Sequence, residues 1–465
     1  MRHKTILVLS VFFLYVKGQT TEVPNYSCSV NRINARFTLY SSIHTANDTS
    51  SNCSLKQCNS GSNDSVSCYH SSTPCFDYYS FNNRSYCAPG IMCSILESCN
   101  NMTYTCASNT SVCIVNSCCS PSAVCLPLSL TNFCQKGWFN TSSMIYARYG
   151  HTASVLNNGK VLVSGGINNV NGGDPQGAEL YDPSTETWVA TFYMHNARYW
   201  HTSSVLNNGK VLVSGGLSGT AISNAELYDS STLTWVITGN MTDARYDHTA
   251  SILNDGKILV SGGYTGITPL NSAELYDPLT GTWTPTGNMN SARYIHTASV
   301  LNNGKVLVTG GTNGTNALND TELYDPSTGI WTTTSNMNSK RVGHTASVLN
   351  NGKVLVSGGY NGIVSTNSAE LYDQSTGSWV ATAGSMNQPR ERHTASILNN
   401  GKVLVNAGSG GISSAELYDP STETWATTGN MNYGRYGHTA SVLNNGKVLV
   451  SGGIGYYYLD SAELY

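Results

Sequence analysis

Cysteine is missing from the last 331 residues of this chain, although 14 cysteines stand between Cys28 and Cys134. That distribution places a domain boundary near residue 135 and excludes thiol chemistry and disulfide pairing beyond it. Charge is scarce too: Asp, Glu, Lys and Arg make up 11% of the residues, and the formal net charge is −3. The basic stripe that phosphate neutralisation requires is absent, so no nucleic-acid partner is expected. Long apolar runs are also lacking. The run from Ile6 to Val16, behind Arg2, His3 and Lys4, is about half of the roughly 20 residues a membrane-spanning helix needs. It reads as a secretory signal peptide over residues 1–20, with a retained anchor as the alternative. No later segment is long or apolar enough to span.

What wets the surface instead is Ser, Thr and Asn. Asn25, Asn47, Asn52, Asn63, Asn83, Asn101, Asn109 and Asn140 each head an N-x-S/T triplet, as do Asn240, Asn313 and Asn319. Beside a signal peptide these triplets describe a secreted, extracellular glycoprotein. Residues 21–135 hold too few large aliphatic side chains to bury a core, so disulfides are expected to hold them together as a small domain. Fourteen cysteines allow seven bridges, and the connectivity stays open. Paired C-x₂-C units, which a zinc site would need, do not occur.

The remainder is a repeat. Arg-x-x-His-Thr begins at Arg148, Arg198, Arg245, Arg293, Arg341, Arg390 and Arg435, a period of about 48 residues. After His151 and Thr152 come an apolar alternation, Asn158-Gly159, Val161 to Val163, then Gly165-Gly166. Asn-Gly between two β-patterned runs supplies the positive φ of a tight hairpin. A variable loop leads to Ala178-Glu179-Leu180-Tyr181-Asp182, a Pro-Ser-Thr turn, and Thr187-Trp188. Four short strands per unit make a propeller blade over residues 136–465.

The pattern resembles the kelch repeat, whose signature is a glycine doublet followed by a spaced Tyr and Trp. The doublet recurs in six units, and the sixth unit in sequence has Ala407-Gly408, where a differently bent loop is expected. The resemblance implies an all-β kelch-type propeller. Seven arginine-histidine units set the blade count at seven. The last unit stops at Tyr465 without a Trp, whereas Trp138 stands ten residues before Arg148 with no strands ahead of it. Trp138 to Thr141 is therefore expected to close the ring as the missing fourth strand, leaving no open edge.

Residues common to every blade are read as scaffold: Arg148, His151, Gly165, Gly166, Tyr181, Trp188 and their equivalents, with Tyr and Trp wedged between blades. Equal counts of motif arginines and of glutamates such as Glu179 point to buried pairs. Recognition needs residues that differ, and those lie in the loops after the glycine doublets and just before each histidine. Trp200, Asp247, Arg392, Tyr456, Tyr457 and Tyr458 are the candidate ligand anchors. The expected function is binding of an extracellular protein or glycan, with no catalytic residues, cofactor or metal and no enzymatic role. Two rival readings come from resemblance. Copper radical oxidases of the galactose oxidase type need a tyrosine crosslinked to cysteine, which this ring lacks. Intracellular kelch adaptors of ubiquitin ligases carry a helical domain where this chain has cysteines. Asp247, Glu391 and Asp460 offer carboxylates to a hydrolase, without a nucleophile motif.

Overall fold

In the computed structural model, residues 138–168 and 177–465 are described throughout. Ahead of them the described residues are those of short strands between Tyr26 and Pro127, together with Cys99, Cys106, Val115 and Ala123. The signal-peptide segment and Asn25, Asn52, Asn63, Asn83, Asn101 and Asn109 lie outside the described residues. The chain divides into two units, residues 1–136 and 137–465. In the first, four antiparallel strand pairs are described, and disulfides join Cys99 to Cys113 and Cys106 to Cys125. These are the only pairings among the described residues, and they answer part of the connectivity that spacing left open. No helix among the described residues is long and apolar enough to cross a membrane.

The second unit is seven four-stranded antiparallel sheets, with one two-stranded pair, Leu217–Ser218 and Thr220–Ala221, in a loop of the second. In the first blade the strands are Thr152–Val155, Val161–Ser164, Ala178–Asp182 and Thr187–Ala190, in that spatial order. The second strand of every blade is buried along its whole length, as expected for a strand covered on both faces. The hairpin joining the first two strands differs from the expectation. Leu156 and Lys160 close a three-residue loop, with Leu156 N–H on Lys160 O and Gly159 N–H on Leu156 O. Only Gly159 has positive φ (81°), so the turn carries one left-handed glycine rather than two such residues.

The core sits between blades. Seven apolar clusters occupy the seven interfaces. Tyr181, for example, packs with Leu443 and Leu449 of the last blade, while its ring also lies 5.0 Å from Trp188 of its own blade. The ring closes as expected. Phe139–Asn140 pairs with the last strand, Leu464 opposite Phe139 and Glu463 opposite Asn140. Trp138 takes the missing tryptophan's place, 5.1 Å from Tyr465 and inclined at 50°.

Candidate functional site

Each blade hands the chain to the next through a connection that the Arg-x-x-His phrase fastens down. Arg148, fully buried, donates from Nη1 to Gly165 O and Gly177 O and from Nη2 to Glu179 Oε1 at 2.8 Å. Glu179 in turn accepts the N–H groups of Ile145 and Tyr146. All seven motif arginines pair with their blade's glutamate in this way. Buried pairs of this kind fix geometry more than they add stability, and in four of the seven the arginine Nε is left without a partner. The histidines are scaffold as well. His201 Nε2 meets Thr152 Oγ1 of the preceding blade at 3.0 Å, and the series runs round the ring to His151 and Thr439 at 3.1 Å. Burial pushes His151, His248, His344 and His393 down to about 3, so they are neutral hydrogen-bonding groups.

The doublet's first glycine explains why this contact is so close. A Cβ at Gly262 would sit 2.5 Å from Arg293 O and 2.7 Å from His296 Cε1 of the next blade. In the sixth blade Ala407 nevertheless keeps a positive φ of 63°. What changes there is downstream. Six blades bridge the residue after the motif arginine to the first loop residue by two bonds, as Tyr149 does with Ile167; the sixth keeps Ser409 N–H on Glu391 O but, among the described residues, lacks the return bond from Glu391 N–H.

Between arginine and histidine lies the position that distinguishes one blade from another. Gly150, Trp200, Asp247, Ile295, Gly343, Arg392 and Gly437 surround the axis, and all seven have φ between 51° and 67°. Their backbones join blade to blade: Trp200 N–H to Gly150 O, Asp247 to Trp200, Ile295 to Asp247, Gly343 to Ile295, Arg392 to Gly343, and Gly150 to Gly437 O. Among the described residues the bond from Gly437 N–H to Arg392 O is the missing member. Left-handed backbone costs a non-glycine residue roughly 1–2 kcal/mol, and a bulky or β-branched one is a true outlier there. Trp200 and Ile295 are such outliers.

These residues and the histidines line a central cavity of about 310 Å³. Tyr149 spans the seam left by the missing bond. Its hydroxyl accepts from Arg392 Nη1 at 3.2 Å, and its ring lies where a Cβ on Gly437 would stand. No carboxylate lies within salt-bridge distance of Arg392 among the described residues, unlike the seven motif arginines. Burial raises the Asp247 carboxyl to about 6, against the lowering effect of Arg392. Glu391 is raised for the same reason.

Of the anchors expected from the sequence, then, Trp200, Asp247 and Arg392 converge on the cavity. Tyr458 packs edge-on to Tyr149. Tyr456 and Tyr457 do not join them: they form a loop tip, 100% and 80% exposed, because Gly455 N–H bonds Tyr457 O in a tight turn. Asp460 is exposed and outside the cavity lining, so the three carboxylates do not converge. Sequence reasoning passes over the residue after each motif arginine. Tyr149, Tyr246 and Tyr436, with Tyr264 and Tyr294, extend an aromatic arc from Trp200. The available signal is Arg-Tyr in five units against Val342 and Glu391 in the other two. Among the glycosylation triplets, Asn140, Asn240 and Asn313 are exposed. Asn319 is half-buried and donates to Met337 O, the same bond that Asn271 and Asn367 make without a triplet.

A family model for the kelch-repeat domain of KLHDC2, KLHL20 and DRC7 matches residues 150–340 and 284–453. Comparison with curated proteins gives no match. Among solved structures, the fold is similar to that of a fungal alcohol oxidase of the AA5 family in complex with copper: 19% identity, 71% of this chain and 76% of that one, TM-score 0.60. It also matches the structure of YjhT at 16% identity, over 62% of this chain and 99% of that one, TM-score 0.49. The oxidase corrects one expectation. That protein, whose fold is similar, is an oxidase, so the exclusion of an enzymatic role drawn from the sequence is withdrawn. Among the described residues, the one group of three His, Cys, Asp or Glu ligand atoms within 4.8 Å of one another is Cys99, Cys106 and Cys125, off the propeller and held in disulfides.

Proposed function

We propose, from the premise that this chain belongs to the kelch-repeat propeller family, that it is an extracellular binding module whose ligand, a protein or a glycan, seats over the central cavity. One observation carries this reading. Four of the seven axial positions hold Trp, Asp, Ile and Arg in a conformation that suits glycine. Strain of this size persists where the surrounding structure over-determines it, and it clusters at functional positions. Three sister positions show that glycine serves the scaffold equally well, so the four larger side chains are retained for what they present to the cavity.

The disulfides and the signal-like opening run support an oxidising, extracellular setting. The half-buried mixture of aromatic, cationic and acidic groups is the lining of a specific binding site. Pull-down of extracellular proteins and a glycan array, run with wild type, Trp200→Ala and Arg392→Ala, test the reading. Each variant is expected to weaken the captured ligand at least tenfold while leaving thermal unfolding near wild type. A ligand indifferent to both changes places recognition elsewhere.

A further inference from the structure

The lining of the cavity is divided. On one side stand the two aromatic rings of the lining, Tyr149 and Trp200, and Trp200 is itself stacked on Tyr246, outside the lining, at 5.8 Å and 22°. Across the axis, the fifth and sixth blades contribute Gly343 and Arg392 without an aromatic ring. Arg392 is the one cation of the lining. Its side-chain partner is the neutral Tyr149 hydroxyl, so its charge is uncompensated at hydrogen-bond range among the described residues. A guanidinium in that state is a fork-shaped donor ready for a carboxylate. The Gly437 N–H, left out of the inter-blade ring beside it, adds a backbone donor at the same seam.

The remaining walls are polar. The Tyr149 hydroxyl, the Asp247 carboxyl and the Gly437 N–H stand in the lining with Arg392, and Ile295 is the one aliphatic side chain there. The motif histidines are engaged by threonines through Nε2 and closed off at Nδ1. An apolar side chain would find little surface there. A polyhydroxylated ring would find partners for its hydroxyls and an aromatic face for its C–H face. Resting on the binding reading above, we propose that the cavity takes a carboxylate-bearing sugar ring, its carboxylate on Arg392 and its apolar face against Trp200. The cavity's second charge, Asp247, opposes that carboxylate when ionised and sets how strongly the acid is held. Glu391, next to Arg392 in sequence, acts in the same sense. The histidines stay neutral and take no part in the charge balance.

Calorimetric titration of the full chain at pH 7.5 tests this, using glucuronate- and galacturonate-terminated oligosaccharides, their carboxyl-reduced counterparts, and free-C-terminal peptides. Wild type should prefer at least one acid over its reduced form by 10-fold or more. Arg392→Gln should abolish that preference while keeping residual binding of the reduced sugar; Arg392→Lys should restore part of it; Asp247→Asn should tighten the acid several-fold. Equal binding of acid and reduced sugar overturns the proposal, as does a preference that survives Arg392→Gln. Peptides binding where acidic sugars do not overturns it too, yet leaves the binding reading intact. No ligand sensitive to Trp200→Ala or Arg392→Gln defeats both.

Discussion

Replacing Trp138 with alanine tests whether the two ends of the chain share one blade. The Trp138 side chain is 8% exposed and packs 5.1 Å from Tyr465; losing such a ring costs about 3–5 kcal/mol. Trp331 is the matched control, 7% exposed and 5.0 Å from Tyr324. Locally, the control should suffer more, because Trp331 Nε1 also donates to Gly287 O at 2.8 Å, a bond worth roughly 1 kcal/mol. Trp138 Nε1 has no partner among the described residues. Ring closure reverses the order. The strand behind Trp331 is tied by four register pairs, whereas Phe139–Asn140 has two, so Trp138→Ala frees the strand and bares the edge at Glu463 and Leu464. Urea unfolding of the full chain, followed by tryptophan fluorescence, should show Trp138→Ala destabilised by about 4 kcal/mol, at least as much as Trp331→Ala. Limited proteolysis should cut near residues 137–143 in Trp138→Ala alone. A loss under about 1 kcal/mol with unchanged proteolysis would refute the shared blade.

Other consequences follow from the same geometry. Arg293→Met strands the fully buried Glu322 carboxylate and should cost about 3–5 kcal/mol, part of which Glu322→Gln returns in the double variant; additive losses in urea melts would argue against the pair. Asp247 is raised from 3.8 to about 6, so the folded state holds its proton more tightly than the unfolded one. Its ionisation removes stability as pH rises through that window, and Asp247→Asn should gain up to about 3 kcal/mol at pH 7.5 and under about 1 kcal/mol at pH 4. The motif histidines carry the opposite sign: held near 3 in the fold against 6.5 ordinarily, they take up protons on unfolding. Each should withdraw about 1.4 kcal/mol per pH unit below about 6, and a urea midpoint that stays flat from pH 7.5 to 5.5 would contradict their burial. Ile295→Gly relieves a φ of 52° and should stay within about 1 kcal/mol of wild type, where an ordinary buried isoleucine would lose several.

What is legible in the chain and what is not divide along a physical line. The blade count, the pairing of motif arginines with glutamates, the scaffold role of the histidines and the part played by Trp138 are all readable because each rests on repetition. A residue recurring at one phase of the repeat meets the same neighbours each time. The hairpin between the first two strands is open to misreading at Asn158, since Asn-Gly fits both a two- and a three-residue loop and only the pairing of Leu156 with Lys160 chooses between them. The tip position of Tyr456 and Tyr457 is equally out of reach, being set by one backbone bond.

The sequence by itself therefore determined the propeller, since periodic strands with glycine-marked turns have few other ways to bury their apolar faces. Only the tertiary structure decided which of the non-repeating residues act together. Arg392 and Tyr149 meet across 243 positions of sequence, the first and sixth blades being brought together by the curvature of the ring. The proton affinity of Asp247 belongs to the same class. It arises from desolvation at the axis, where seven blades converge, and no local pattern around residue 247 encodes that crowding.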